Sequence, residues 1–302
     1  MSKIPILVLA FNRPNYLSRA MATITKYQPD RIYLACDGPR PNNAEDVTTV
    51  MKTRQVMVDT IDWPCEVYQL FRETNLGCAQ APYQAISWFF EHEEYGIIIE
   101  DDVIVSQDFF KLCEDLLPRY KDEERIMQIS SRNTSQRTDL PNTYVYTQVH
   151  HCWGWASWRR AWKKMDMEMA NLSKVSIWYL IKRIGIVRGV VEYSHFVSIS
   201  KDLAHSTEWD VRWFFSIISN DGLVICPGVN LGLNIGFAGG THFDPEDANR
   251  PGAKLLLHEM NWPLVYNDSL TIDRLQKHYD SRFYLINRYI GLRKKIKRNK
   301  RK

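Results

Sequence analysis

Apolar runs of strand length alternate with amphipathic segments along the first hundred residues. The continuous runs cover residues 4–10, 31–36, 66–71 and 96–99. Between them, apolar residues recur at helical spacing in three stripes: Leu17, Ala20, Met21 and Ile24; Val47, Val50 and Met51; and Ala81, Ala85, Trp88 and Phe89. Strands that alternate with helices predict an α/β fold, in which helices cover both faces of a parallel sheet.

Each of these predicted strands is followed directly by charged or amide side chains. The four clusters are Asn12 with Arg13, Asp37 with Gly38, Arg72 with Asn75 and Gly77, and Glu100 with Asp101 and Asp102. Any one cluster alone could be a turn or a helix cap. Ligands of open parallel sheets bind beyond the carboxyl ends of the strands, so the four clusters together predict a ligand site at that edge.

The stretch GIIIEDDVIV places three consecutive carboxylates, Glu100, Asp101 and Asp102, between two apolar runs. Adjacent like charges repel each other, more strongly where water is scarce, so a positive group is expected nearby. Clusters of oxygen ligands suit hard cations such as Mg²⁺ or Mn²⁺. A solvated acidic loop is the alternative, but the apolar run at 103–105 argues against it.

The second half of the chain begins with a predicted strand at 127–133 and then a tryptophan-rich segment. Trp155, Trp158 and Trp162 lie at i, i+3 and i+7, which predicts an amphipathic helix docked by large apolar groups. The preceding CWGW turn is also suited to shaping a sugar pocket, since aromatic faces match the C–H surfaces of sugars.

Residues 206–242 predict a helix, a strand and a glycine-rich loop. The helix is expected to begin in STEWDVRW, with Ser206 or Thr207 as its cap. The loop contains Gly236, Gly239 and Gly240. These glycines would let the loop close over a substrate and exclude water, with His242 near its end.

The composition limits the class of protein and the cellular compartment that are expected for this chain. With 45% hydrophobic and 12% aromatic residues, the 302-residue chain can bury a sizeable core. No apolar run approaches the ~20 residues that a membrane span needs, and the N-terminal stretch reads as a strand and not as a signal peptide. The six scattered cysteines form no CxxC pair. That pattern argues against a zinc site or a disulfide framework and suits a reducing cytoplasm.

The net charge of +4 is unevenly distributed. Residues 293–302 hold eight basic side chains and no acid, which leaves 31 basic and 35 acidic residues in the body. Such a tail is either a solvated end or an attachment to an anionic membrane face, where each basic residue adds roughly 1 kcal/mol. No aromatic-basic interleaving is present, so nucleic acid is not expected as a partner.

The segments IPILVLAFNRP, ACDG, EDDVIVSQDFF, CWGW and the later WD…W, in this order, resemble glycosyltransferases of the GT-A fold. The resemblance points to the N-acetylglucosaminyltransferase I family and to bacterial sugar transferases with a WGWATW-type signature. It implies a Rossmann-like, mostly parallel sheet with a nucleotide-sugar-binding half at 1–135. An acceptor-binding and catalytic half of the same domain would follow at 136–292, and the basic tail at 293–302.

This resemblance also implies a nucleotide-sugar donor, usually UDP-linked, a divalent cation (Mn²⁺ or Mg²⁺) and sugar transfer to a hydroxyl with inversion. The site roles that it implies are base and ribose binding by Arg13 and Asp37, ribose contact by Asp101, metal binding by Asp102, and donor-sugar contact by Glu100. His242 would be a metal or diphosphate ligand. Arg72 would either bind phosphate or pair with an acid of the same edge.

A catalytic base must remove the proton of the acceptor hydroxyl, and Asp210 in EWDVRW is the candidate. The family shows two adjacent acids between tryptophans, whereas Val211 follows Asp210 here. Glu208 is therefore a competitor for the role. Either acid could instead stabilise the first turn of its helix through the helix dipole.

Two other functions remain open from the sequence. A nucleotidyltransferase, which makes nucleotide-sugars, would carry a glycine-rich phosphate loop after the first strand, and FNRPNY has no glycine. A non-catalytic module that binds a nucleotide or glycan is the third interpretation. A cytoplasmic enzyme with a basic end suits a lipid-linked or surface-polysaccharide acceptor at the inner membrane face.

Overall fold

The structure is a computed structural model that describes residues 2–135, 137, 139–236 and 254–299, with side chains up to residue 286. Its strands are β1 (Ile6–Ala10), β2 (Arg31–Cys36), β3 (Glu66–Phe71), β4 (Tyr95–Glu100), β5 (Val103–Val105), β6 (Ile126–Ser130), β7 (Tyr144–Thr147), β8 (Trp155–Trp158), β9 (Leu223–Pro227) and β10 (Gly232–Asn234). Eight of them form one sheet in the order β3-β2-β1-β4-β8-β6-β9-β7, and β10 pairs with β5. Within the large sheet, β8 and β7 run opposite to the other six strands.

Helices pack on this sheet and extend from its second half. They are α1 (Pro14–Tyr27), α2 (Ala44–Asp59), α3 (Gly77–His92), α4 (Gln107–Arg119), α5 (Arg159–Trp162), α6 (Ile177–Ile184), α7 (Ile186–Lys201), α8 (Trp209–Ser219) and α9 (Arg274–Asn299), with a 3₁₀ helix at Ala170–Lys174. A second apolar cluster joins α6, α7 and α8 through Leu180, Phe196 and Phe215. None of the described helices is both long enough and apolar enough to cross a membrane.

The predicted α/β fold is confirmed. Strands β1, β2, β3 and β4 are mutually parallel, and the helices that connect them are those that the stripes predicted. The stripe from Leu17 to Ile24 is fully buried, because α1 lays it on the sheet. The predicted mostly parallel, Rossmann-like sheet is thus present, and the carboxyl ends of β1, β2, β3 and β4 share one edge.

The predicted face of α2 is wrong. Val47 and Met51 are 57% and 65% exposed, and Val50 alone of that stripe is buried. The helix is turned because Asp46 is buried instead. Its carboxylate accepts hydrogen bonds from Arg40 Nε at 2.5 Å and Asn12 Nδ2 at 2.9 Å, and a buried carboxylate requires such partners.

The tryptophan-rich segment is a strand and not the predicted helix. Trp155 to Trp158 form β8, which inserts antiparallel between β4 and β6, and only the short α5 follows. Large buried side chains at helical spacing are also compatible with a strand whose two faces are both covered. Gly154 at φ +74° turns the chain into β8, where a Cβ would lie 2.5 Å from Val105 Cγ1.

The predicted cap of α8 is wrong as well. The helix begins at Trp209, Glu208 is in the cap position, and no side chain there makes a capping hydrogen bond. The cap of α8 therefore lies one to two residues after the predicted position. As a result, Asp210 lies in the first turn of α8.

Candidate active site

The three carboxylates lie at the tip of β4. Glu100 ends that strand, and Asp101 and Asp102 form the turn into β5. Asp101 and Asp102 are 8% and 9% exposed. The β5–β10 pairing continues the backbone beyond the turn, so these acids are held in a folded edge and not in a solvated loop.

Arg13 is the positive group that the carboxylates require. Its Nη1 donates to Asp102 Oδ2 at 2.9 Å and lies 3.9 Å from Asp101 Oδ1. Asn234 Nδ2 donates to the other oxygen of Asp102 at 3.1 Å. Gly236 packs directly behind, where a Cβ would lie 2.2 Å from Asp102 Oδ2. The sequence motifs named neither Asn234 nor its contact, which depends on the β5–β10 pairing.

One arginine does not balance three carboxylates. Burial raises the pKa of Glu100 well above its ordinary value, with the charges of Asp102, Asp210 and Asp101 adding to the effect. Burial and the neighbouring Asp102 raise the pKa of Asp101 to about 7. Burial also raises the pKa of Asp102, against the opposing effect of Arg13. The raised pKa values mean that negative charge on these three carboxylates is unfavourable and that protons are retained towards neutral pH. A bound divalent cation would stabilise the ionised carboxylates and displace those protons.

We expect Asp101→Asn to gain stability relative to the wild type as pH rises from 5 to 8 without divalent cations. Folded Asp101 keeps its proton up to about pH 7, whereas the unfolded carboxyl releases it above about pH 4. The folded state binds more protons in that window, so wild-type stability falls as pH rises. Urea unfolding at both pH values should show a relative gain of about 1–3 kcal/mol. A difference between the two proteins that stays constant with pH would contradict it.

A cavity of about 410 Å³ opens at the same edge. It gathers most of the predicted site residues in its lining: Arg13, Asp37, Arg72, Glu100, Asp101 and Asp102. Its apolar wall includes Ala35, Leu70 and Pro82. A volume of this size suits a small-molecule ligand, and mixed apolar and charged walls are typical of such sites.

Asp37 lies at the cavity and also anchors the loop before α3. Its carboxylate accepts hydrogen bonds from Gly38 N at 2.9 Å, Asn75 Nδ2 at 3.0 Å, Leu76 N at 3.0 Å and Gly77 N at 3.1 Å. Arg72 differs, since its guanidinium forms no ion pair with any residue that the structure describes. Of the two interpretations offered for Arg72, pairing with an acid of the same edge is therefore not observed.

The two candidate bases have different surroundings. Glu208 Oε2 is 3.1 Å from His195 Nε2, and this hydrogen bond lowers the pKa of Glu208. Glu192 and Glu208 together raise the pKa of His195 to about 9. The charge of Asp210 adds to the effect of burial and of Asp102 in raising the pKa of Glu100. Burial raises the pKa of Asp210 itself. Asp210 thus belongs to the carboxylate edge, and Glu208 is held by a histidine of α7.

Trp209 is the tryptophan that lines the cavity. Its ring stacks on Trp155 with centroids 6.2 Å apart and planes at 30°. Trp153 of the CWGW turn is not part of that lining, and the Arg132 guanidinium lies over its ring at 3.6 Å. Sequence patterns alone did not identify Trp209, because α8 reaches this edge through long-range packing against α3 and against Trp155 of β8. His242, with Gly239 and Gly240, lies outside the described residues.

Comparisons with known proteins identify no family. No protein-family model matches the chain, and no curated protein matches it significantly. Among solved structures, it is similar to a UTP-bound UGPase from Acinetobacter baumannii (TM-score 0.36, 10% identity, 78% of this chain and 89% of that one). It is also similar to apo mouse xyloside xylosyltransferase 1 (TM-score 0.33, 9% identity, 72% and 81%). Likenesses this distant decide nothing about chemistry.

Proposed function

We propose that the protein is a metal-dependent glycosyltransferase. It would move a sugar from a nucleotide-sugar, usually UDP-linked in this class, to a hydroxyl of a glycan or lipid-linked acceptor. The observation that carries the proposal is the excess of buried carboxylate at the carboxyl edge of the parallel sheet, beside a cavity that also holds arginine. A nucleoside diphosphate and a cation together complement that arrangement.

The donor is proposed to lie along the cavity. Arg72, which makes no ion pair in the described part of the chain, is suited to the diphosphate charge. The apolar wall at Ala35, Leu70 and Pro82 is suited to the nucleobase, and Asp37 stands at the same edge for the ribose. Trp209 offers an aromatic face to the transferred sugar.

The residues at the tip of β4 fit a hard divalent cation. The ligand atoms are carboxylate oxygens, and each Asp102 oxygen accepts one hydrogen bond, which leaves lone pairs for a metal. Asp102 and Asp101 would hold Mn²⁺ or Mg²⁺. Bound there, the cation would neutralise the charge that builds up on the leaving diphosphate.

Asp210 is the better-placed base. Its carboxylate would take the proton of the acceptor hydroxyl as the hydroxyl oxygen bonds to the anomeric carbon. The bond from that carbon to the diphosphate breaks in the same displacement, and its electron pair leaves with the diphosphate. A raised pKa makes Asp210 a stronger proton acceptor than an ordinary aspartate. Glu208 is less suited, because His195 already occupies its carboxylate.

The products of the reaction distinguish the proposed glycosyltransferase from a nucleotidyltransferase and from a non-catalytic binding module. The connection between β1 and α1 is only Phe11, Asn12 and Arg13, and Phe11 N donates to Asp101 at 3.4 Å. This connection offers no glycine-rich phosphate loop, which disfavours a nucleotidyltransferase. We expect incubation with UDP-sugars, Mn²⁺ and a glycan acceptor to release UDP, and chelation by EDTA to stop it. Nucleotide binding without release would indicate a binding module, and a pyrophosphate-dependent reaction a nucleotidyltransferase.

The basic tail is proposed to attach the enzyme to an anionic membrane face. Helix α9 runs to Asn299, so residues 293–299 are its last residues. Deleting 293–302 is expected to weaken binding to phosphatidylserine-containing vesicles more than about a hundredfold, since eight charges are lost at roughly 1 kcal/mol each. Turnover on a soluble acceptor should be unchanged. Equal vesicle binding by the full and shortened chains, measured by sedimentation, would contradict the attachment.

A further inference from the structure

Three side chains of metal-ligating type meet beside the carboxylate edge. His150 and Cys152 lie two residues apart between β7 and β8, and Asp210 lies in the first turn of α8. One ring nitrogen of His150, the Cys152 thiol sulfur and one Asp210 oxygen all lie within 4.8 Å of one another. His150, Cys152 and Asp210 are not at the spacing of a CxxC pair, so the sequence pattern did not predict this group.

The hydrogen bonds of Gln128 determine which nitrogen of His150 is available. Gln128 Nε2 donates to the His151 carbonyl at 3.0 Å, which leaves Gln128 Oε1 as an acceptor. That oxygen accepts from Trp213 Nε1 at 2.8 Å and is 2.8 Å from His150 Nδ1. His150 Nδ1 must therefore carry the proton, and Nε2 has the lone pair.

His150 Nε2 is buried and has no hydrogen-bond partner among the described residues. The ring is also held from the side, edge-on to Trp155 with centroids 6.3 Å apart. Metal-ligating histidines characteristically donate their other N–H to a fixed oxygen, which sets the tautomer and orients the ring. The contact with Gln128 supplies that arrangement.

We propose that His150 Nε2, Cys152 Sγ and the Asp210 carboxylate form a binding site for a transition metal of the Zn²⁺ class. Thiolate and imidazole ligands select such metals over Mg²⁺ or Mn²⁺. Ligand atoms around a tetrahedral zinc lie roughly 3.3–3.8 Å apart, so the present group needs only a small contraction. Three protein ligands leave the fourth position for water. The site is distinct from the hard-cation site at Asp101 and Asp102.

This site would make the enzyme sensitive to zinc, a consequence that rests on the proposed function. Asp210 cannot accept the acceptor proton while its carboxylate holds a metal. Zn²⁺ would then inhibit a Mn²⁺-dependent transferase without competing for the donor. Cys152→Ser would remove the inhibition and leave turnover with Mn²⁺ in place, because the thiol touches neither donor nor acceptor in the proposed reaction.

Cobalt substitution tests the site independently of turnover. Titrating the full-length protein with Co²⁺, without Mn²⁺, should give the near-ultraviolet sulfur-to-cobalt charge-transfer band and the visible bands of tetrahedral cobalt at one ion per chain. Cys152→Ser should lose the charge-transfer band and weaken Zn²⁺ binding more than about a hundredfold. His150→Gln should also lose the tetrahedral spectrum. Cys78→Ser, which removes an exposed thiol, should keep it.

Two results overturn the inference. Absence of the charge-transfer band in the wild type, or its persistence in Cys152→Ser, would show that these residues do not bind the metal. Circular dichroism of each variant verifies that the fold is retained. Bound cobalt with no inhibition by Zn²⁺ would leave the metal site standing and overturn the role of Asp210 as base. Failure of the site and failure of the proposed function are thus distinguishable.

Discussion

Replacing Asp102 by asparagine is expected to lower kcat of metal-dependent sugar transfer about 100- to 1,000-fold, as loss of a single electrostatic contact to a developing charge does. Asparagine keeps the shape and can still accept the hydrogen bond from Asn234, but it loses the ion pair with Arg13 and the negative charge that would hold the cation. The fold should survive the change, because burial raises the pKa of Asp102 and the site already favours a neutral group. Steady-state UDP release at saturating Mn²⁺ measures the effect.

The control for this substitution is Asp122→Asn, which neutralises an exposed aspartate in the turn between α4 and β6. Its kcat should equal that of the wild type. Raising the Mn²⁺ concentration should not fully restore kcat of the Asp102 variant. The substitution removes a negative charge from the site and does not only weaken the affinity for Mn²⁺. Full activity of Asp102→Asn would remove the metal assignment at the tip of β4.

Asp210→Asn is expected to lower kcat about 100- to 10,000-fold, the range for loss of a positioned general base. KM for the donor should change little, because Asp210 is not in the lining of the donor cavity. Activity of the wild type should also fall as pH drops through the raised pKa of Asp210, since only the ionised carboxylate accepts a proton. Measurement of kcat and KM against pH for both proteins tests this.

Glu208→Gln is the matched comparison one residue before α8. Its ion pair with His195 would be lost, and the pKa of Asp210 would fall slightly because the charge of Glu208 helps to raise it. Asp210 itself stays in place, so kcat should remain within about threefold of the wild type. A large loss of kcat in Glu208→Gln, with an active Asp210→Asn, would reassign the base. The sequence offered both acids, and only their partners in the fold distinguish them.

The first half of the fold and most of its edge could be predicted because the signals are local. Each parallel strand is a short apolar run, and the residues at its end reach the common edge whatever the rest of the chain does. Arg13, Asp37, Arg72 and the carboxylate triplet reach one cavity for that reason. The buried face of α2 could not be predicted from local spacing, because the burial of Asp46 depends on hydrogen bonds from Arg40 and Asn12.

The second half depends on contacts between distant segments. Whether the segment at Trp155 becomes a helix or a strand is decided by the open edges of β4 and β6, which no local spacing records. The same insertion brings Trp209 to the cavity and His150 and Cys152 to Asp210. Asn234 reaches Asp102 only through the pairing of β10 with β5. These residues could not be assigned before the strand order was known.

Calorimetric titration of the protein with UDP, with and without Mn²⁺, tests the central claim most directly. We predict binding of one UDP per chain that requires Mn²⁺ and disappears in Asp102→Asn, because the cation would join the diphosphate to the tip of β4. The exposed-site variant Asp122→Asn should bind as the wild type does. Wild-type protein that gives no heat with UDP and Mn²⁺, or that binds UDP equally well with EDTA, would contradict the account.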